Sequence, residues 1–187
     1  MKTRITTTER LLGGAPFNKQ VYTDYIRQSS PDIKDELDSL PVPDKIDKVM
    51  TGFHRDDKGI FLYDYHIRGF LKEACNNLKG NIGIKNLKSK IDNFLFVFPR
   101  KIYLAKMKPD GILERPLRAM TMQGPRVSLA MSEYLEPPVS FEVEFKILDT
   151  KIIPEDIITQ LLDYGQYKGL LQWRNASYGR FSYEMIK

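Results

Sequence analysis

Cysteine is almost absent from this sequence, and the single one, Cys75, excludes two classes of protein. A lone cysteine cannot form an internal disulfide or a multi-cysteine zinc site, so a disulfide-built secreted scaffold is ruled out. No window approaches the ~20 apolar residues of a membrane span, and the first residues lack the apolar stretch of a signal peptide. We therefore expect a cytoplasmic protein with no membrane contact, no bound metal and no cofactor. Cys75 itself is predicted to be a small core residue.

What the chain does contain is typical of one globular domain. Its 187 residues are 42% hydrophobic and 28% charged, and a chain of this length buries roughly 70% of its surface on folding. No internal period suggests a repeat protein. We predict a single domain over residues 1–187, with a mobile surface loop near 41–50, where prolines and alternating charges cluster.

Hydrophobic periodicity predicts most of the elements. Strands are expected over Lys2 to Thr8, Ser140 to Leu148 and Arg180 to Ile186, since β-branched or alternating apolar residues occur there. Apolar residues at helical spacing predict a helix capped by Asp64 and a second helix opened by Pro154.

Other segments give weaker signals. Short helices are predicted near Asn18 and after Pro31. The sequence from Asp56 to Gly59 is typical of a hairpin turn, in which turn chemistry explains the two aspartates. Phe94 to Phe98 is apolar on both faces and predicts a strand buried on both sides. Taken together, the pattern predicts an α+β fold of the ferredoxin-like, RNA-recognition type, an antiparallel sheet with helices on one face and an open opposite face.

Positive charge is sorted along the chain rather than spread evenly. The net charge is +5, and residues 98–126 carry seven basic residues against Asp110 and Glu114. Residues 168–180 carry three basic residues and no acid. A sorted positive field favours a polyanionic partner such as nucleic acid.

The segment from Lys168 to Phe181 combines the groups that nucleic acid needs. Phosphates bind cations and backbone N–H groups, while bases stack on aromatic rings and pair with amides. The alternative is an ordinary surface loop with Trp173 in the core. The candidate binding residues here are Lys168, Gly169, Gln172, Trp173, Arg174, Asn175, Ser177, Tyr178, Gly179 and Arg180.

A second cation cluster consists of Arg115, Arg118 and Arg126 on a hairpin-like segment. Arginine is suited to bidentate phosphate contacts. The alternative interpretation is a set of salt bridges to nearby acids, namely Glu114, Glu133 and Glu136.

Three segments resemble, in order, motifs of the RAMP superfamily, the RNA-binding subunits and processing endonucleases of CRISPR systems. Residues 5–14 are similar to that family's first strand and glycine turn. Residues 65–72, with Arg68 followed by Gly69, resemble its helix-opening motif, and residues 169–181 resemble its C-terminal glycine-rich loop. The resemblance implies a ferredoxin-like fold and RNA-backbone contacts by Arg68 and the arginines of 174–180.

From this resemblance we expect a non-catalytic protein that binds single-stranded RNA. We also expect a stand-alone member, carried by a phage, that mimics a CRISPR subunit as an anti-defence protein. Its partners would be RNA, with a CRISPR ribonucleoprotein or a second copy of itself as further candidates.

Other functions stay open. A metal-independent endoribonuclease would use His54 or His66 as general acid or base, although a lone histidine beside a hairpin or at a helix start is more often a surface or capping residue. No Ser-His-Asp order, P-loop or HExxH motif occurs, so enzymatic activity is uncertain. A protein-interaction module and a protein that sequesters small nucleotides are the remaining alternatives.

Overall fold

The computed structural model describes residues 1–17, 50–121 and 124–186. The helices expected near Asn18 and after Pro31 lie outside these residues, as does the loop expected near 41–50, apart from Met50, which begins a strand. In chain order the described strands are β1 (Lys2–Thr7), β2 (Leu11–Leu12), β3 (Ala15–Pro16), β4 (Met50–Gly52), β5 (His54–Asp56), β6 (Gly59–Tyr63), β7 (Leu95–Phe98), β8 (Lys101–Tyr103), β9 (Gly111–Thr121), β10 (Gly124–Leu135), β11 (Ser140–Ile147) and β12 (Phe181–Ile186), and the helices are α1 (Asp64–Asn77), α2 (Leu87–Phe94) and α3 (Glu155–Lys168).

The central sheet has four antiparallel strands in the order β12-β1-β11-β7. Alternate residues of each strand point to opposite faces, and the apolar set is buried, as Ile5 in β1 and Phe141 and Val143 in β11 show. The helices pack against this face, joined by apolar residues of α1 and α3 such as Phe70 and Leu161. The predicted α+β, ferredoxin-like arrangement with helices on one face is therefore confirmed.

Helix α1 begins differently from the prediction. Asp64 is its first residue and Tyr63 is the capping position, so the prediction that Asp64 caps the helix is wrong. The backbone N–H of Tyr63 donates to Nδ1 of His66 at 3.1 Å, while the Asp64 carboxylate pairs with Arg100 at 3.2 Å. The side-chain acceptor at the start of the helix is thus the ring nitrogen of His66 rather than the carboxylate of Asp64. Cys75, on the apolar side of α1, is 3% exposed as predicted, and burial raises the pKa of its thiol to about 11.

Two further sheets, one of five strands and one of three, flank the central one. Strands β9 and β10 form a long hairpin, and β10 also pairs in parallel with β4. Strands β5, β6 and β8 form a three-stranded sheet. Its Asp56–Gly59 turn has the predicted chemistry, because Asp56 Oδ1 accepts the N–H of Lys58 at 3.0 Å and Gly59 has a φ of 114°.

The opposite face of the central sheet is open, as predicted, but it is not a basic surface. Arg4 pairs with Glu142 at 2.7 Å, and the remaining charges on this face, from Lys2, Glu144, Lys146 and Glu184, bring cations and acids into balance. Phe96 and Phe98 lie on it with 43% and 42% exposure, so the prediction that this strand is buried on both sides is wrong. Only a single helical layer covers β7, which leaves its second face in solvent.

No helix among the described residues has both the length and the apolar content needed to cross a membrane.

Candidate nucleic-acid interface

The loop between α3 and β12, residues 169–180, is closed at its neck by two glycines. We call this segment the C-terminal loop. Gly169 and Gly179 have φ values of 87° and 71°, and a Cβ on either would lie 2.2 Å from a backbone oxygen. The N–H of Leu170 donates to Gly179 O at 2.8 Å, and Gly179 N–H donates to Arg10 O at the same distance. The glycines that the sequence singled out are therefore required by the backbone of the loop.

Inside the loop the backbone is unusually strained. Leu171, Trp173 and Ser177 all have positive φ, and a single turn of 3₁₀-helix spans Arg174–Ala176. Each non-glycine residue in this region costs of order 1–2 kcal/mol. Strain of this kind persists at positions that a fold holds in place for function.

An aromatic and guanidinium cluster connects the loop to the β9–β10 hairpin. The rings of Trp173 and Tyr178 are stacked, with centroids 5.3 Å apart and planes 11° from parallel. The Arg115 Cζ atom lies 4.5 Å from the centre of the Trp173 ring, and its Nη2 donates to Gln172 Oε1 at 3.0 Å. The structure thus brings Arg115 of the hairpin cluster against the C-terminal loop, with 57 residues between Arg115 and Gln172 in the sequence numbering.

Among the described residues, Arg115 is buried and has no carboxylate partner. It is 6% exposed, and its Nε and Nη1 have no hydrogen-bond partner in the described part of the chain. Glu133 pairs with Arg55 at 2.8 Å and Glu136 with Arg10 at 2.6 Å. The salt-bridge alternative is therefore wrong for Arg115. Burial lowers the pKa of its guanidinium from the ordinary value. Arginine is not deprotonated in proteins, so the buried group carries a charge.

The other predicted hairpin arginines lie farther along the same hairpin. The backbone register places Arg118 opposite Val127 and Arg126 opposite Ala119.

The loop's own cations are partly engaged. Arg174 pairs with Glu73 of α1 at 2.5 Å and keeps a quarter of its side chain exposed. Arg180 Nε donates to the carbonyl of Tyr167 at 2.8 Å, and Lys168 Nζ donates to Asn175 Oδ1. Of these three cations, only Arg174 pairs with a carboxylate among the described residues. The loop and the adjoining end of α3 therefore keep an excess of positive charge.

Arg68 has its ion-pair partner in α2 rather than in the C-terminal loop. It pairs with Asp92 at 2.9 Å, and Lys72 reaches the same carboxylate at 3.1 Å. An RNA contact by Arg68 therefore stays a separate prediction.

The sequence missed Arg10 and Glu9, which border the loop on its other side. With Glu136, Ser177 and Tyr178 they line an open cleft of about 380 Å³. The Arg10 guanidinium lies 4.7 Å from the centre of the Tyr134 ring. The hydrogen bond from Gly179 N–H to Arg10 O joins residues far apart in the sequence, which no local pattern predicts. The one sequence feature that pointed to Arg10 was its place in the glycine-turn segment 5–14.

The two histidines lie together, with ring centroids 6.1 Å apart. His54 is 1% exposed and packs edge-on against Tyr63, while His66 caps α1. The capping interpretation of His66 is correct. Burial lowers the pKa of His66 to about 4 and that of His54 well below its ordinary value, so both rings are neutral at pH 7. Among the described residues no group of His, Cys, Asp and Glu side chains could hold a metal ion.

These histidines predict a pH-dependent stability. As the pH falls below about 6.5, the unfolded histidines bind protons that the folded ones do not. The free energy of unfolding should therefore fall by up to about 1.4 kcal/mol per pH unit for each ring, down to about pH 4 in the case of His66. Carboxylates with lowered pKa values change the free energy of unfolding only at lower pH. Urea midpoints measured at about pH 7 and about pH 5 test this slope. His66→Asn keeps an acceptor for the Tyr63 N–H and should remove one ring's share, whereas an unchanged wild-type midpoint would contradict the prediction.

Comparison with known proteins adds one observation to this geometry. No protein-family model and no curated protein sequence matches the chain. A solved structure has a similar fold. It is a chain of the structure described as "Cryo-EM structure of the Type III-B Cmr-beta bound to cognate target RNA", with a TM-score of 0.54 and 13% sequence identity. The match covers 100% of this chain and 58% of that chain. At this identity the likeness concerns the fold, and the present chain spans little more than half of its neighbour.

Proposed function

We propose that this chain is a RAMP-like protein that binds single-stranded RNA through the C-terminal loop and Arg115 and does not cut it. The observation that carries the proposal is the buried guanidinium of Arg115, which no described carboxylate neutralises. An uncompensated buried ion costs several kcal/mol. A phosphate oxygen would offset that cost, because guanidinium and phosphate match in charge and in bidentate geometry.

The side chains around Arg115 suit a nucleotide rather than a lone anion. Trp173 and Tyr178 offer flat rings on which bases stack, and Gln172 and Asn175 offer amide groups. Because the Trp173 ring stacks on the Arg115 guanidinium, a phosphate that binds there should disturb this contact. Trp173 is the single tryptophan, so its fluorescence reports on binding directly.

The structural likeness supports the same assignment. The neighbouring complex is described as bound to cognate target RNA. RNA and a CRISPR ribonucleoprotein are accordingly the partners to test first.

The position of the histidines supports binding without cleavage. A general base must reach the 2′-hydroxyl of RNA, whereas His54 is 1% exposed. Nδ1 of His66 is already occupied by the Tyr63 N–H.

Replacing Arg174 and Arg180 together with alanine should weaken RNA binding and flatten its salt dependence. Each lost phosphate contact reduces the slope of log K against log salt by about 0.7 for a single strand, so the pair should remove up to about 1.4 units. Fluorescence titrations of Trp173 with a single-stranded RNA at several salt concentrations measure this slope.

Glu73→Gln is the matched variant with the opposite expectation. It releases Arg174 from its carboxylate and should tighten RNA binding at low salt. An unchanged slope in the double alanine variant would remove these two arginines from the interface. Absence of any binding at low salt would overturn the proposed function, and in that case binding of short nucleotides alone would favour the sequestering alternative. Cleaved RNA would favour the endoribonuclease.

A further inference from the structure

A second basic surface lies between α1 and α2 and is not part of the interface described above. Residues 79–90, which we call the lysine segment, contain four lysines, and no acid occurs from residue 74 to residue 91. In the described part of the chain these lysines have no carboxylate partner, whereas Lys72, Lys101 and Lys106 pair with Asp92, Asp56 and Asp110. The four residues are Lys79, Lys85, Lys88 and Lys90.

The backbone of the lysine segment is fixed in place. Ile82 and Leu87 are 4% and 5% exposed and anchor the segment to the core. The N–H groups of Asn81 and Ile82 both donate to Leu78 O at 2.9 Å. Lys79 and Lys85 therefore lie on an ordered connection, and Lys88 and Lys90 lie in the first turn of α2.

The segment surrounds a small cavity, in which polar side chains lie beside the apolar residues Cys75, Ile82, Ile84 and Leu87. Its volume is about 250 Å³, and Lys79, Lys88, Asn76, Asn86 and Ser89 contribute to its lining. Pockets for drug-sized ligands begin near 300 Å³, so this cavity fits one phosphate or one base of a larger molecule.

At two glycines the backbone of the segment has no side chain and no close neighbour. Gly80 and Gly83 have no atom within 4 Å of the place where a Cβ would be, and neither has a positive φ. Neither packing nor backbone conformation within the described residues requires glycine at these positions. An approaching strand could therefore come close to the backbone beside the lysines.

The lysine segment adjoins the C-terminal loop through α1. Arg174 of the loop contacts Glu73, and Lys79 follows six residues later, about 9 Å along the helix direction. The exposed residues between them, Asn76 and Asn77, carry no charge, and Asn77 Nδ2 also donates to Tyr164 of α3 at 2.9 Å.

We propose that the lysine segment extends the RNA path, so that one strand bound at the C-terminal loop continues across α1 to the lysines. This inference rests on the proposed function. Charge complementarity favours RNA as the occupant, since four unpaired cations alternate with amides and a hydroxyl. A protein partner or a membrane would need apolar anchors, and the large exposed hydrophobic side chains of the described chain all lie outside the segment.

The test replaces Lys79, Lys85, Lys88 and Lys90 with glutamine and compares RNAs of about 5 and about 20 nucleotides. For the longer RNA the salt slope should flatten by up to about 3 units, since each phosphate contact contributes about 0.7. Binding of the shorter RNA should be unchanged, because the C-terminal loop alone accommodates it. The control variant makes the same change in net charge at four other exposed lysines that have no ion-pair partner among the described residues, namely Lys2, Lys58, Lys108 and Lys151.

The two proposals fail in distinguishable ways. If the lysine-segment variant binds the longer RNA with the wild-type slope, the extended path is wrong and the loop interface stands. An equal loss in the control variant would show that net charge alone acts and would also overturn the path. If the wild-type chain binds neither RNA, both proposals fall.

Discussion

Replacing Arg115 with methionine is expected to weaken RNA binding by at least tenfold while leaving the free energy of unfolding unchanged or higher. A hydrogen bond to a charged group contributes about 1.5–3 kcal/mol, which corresponds to roughly ten- to hundredfold in affinity. Stability should not fall, because methionine removes an uncompensated buried charge and fills similar volume. Urea unfolding and fluorescence titration of the same preparation measure the two quantities.

Arg55→Met is the matched control for Arg115→Met. Arg55 pairs with Glu133, which is itself 5% exposed, so its removal leaves a buried carboxylate unpaired. Breaking one partner of a buried pair costs about 3–5 kcal/mol, and the folded fraction should bind RNA normally. If Arg115→Met destabilised the chain as much as Arg55→Met and kept full RNA affinity, Arg115 would be structural only.

Gly179→Ala should lower the free energy of unfolding by about 3 kcal/mol. The added Cβ would lie 2.2 Å from Leu170 O, at a backbone φ of 71° that an L-residue seldom adopts. Loss of this neck would also release the C-terminal loop from Arg10. Urea unfolding followed by circular dichroism checks the size of the effect.

Gly69→Ala is the counterpart within a helix. Gly69 is exposed in α1, with open space around it, so alanine should raise stability by about 0.5–1 kcal/mol. Equal midpoints for the two variants would show that the neck of the loop relaxes freely and would contradict the close contacts of Gly179.

Regular elements could be predicted from the sequence because their signals are local. The alternation of Phe141, Val143 and Phe145 predicts β11 with one buried face, and the structure agrees. The apolar stripe of α1 is equally explicit. The predictions that were wrong concern features set by contacts between residues distant in sequence. Phe96 and Phe98 look like core residues, yet nothing in the sequence tells which sheet face is left uncovered.

Only part of the candidate interface could be predicted from the sequence, for the same reason. The composition of residues 168–180 predicted the loop and its cations. The approach of Arg115 to Trp173 depends on how two sheets pack, and the pairing of Arg174 with Glu73 depends on how α1 meets the loop. No local period encodes either contact. Glu73, in particular, reads in the sequence as an ordinary solvated helix residue.

The contact between Arg174 and Glu73 also has a consequence for selectivity. A carboxylate tethered beside the guanidinium competes at high effective concentration with any incoming anion. Chloride or a lone inorganic phosphate, making a single contact, would seldom displace it. Under the proposed function, a polymer that engages several cations at once gains further contacts that offset the loss of this one ion pair. We therefore expect the tethered acid to favour multivalent ligands over simple ions.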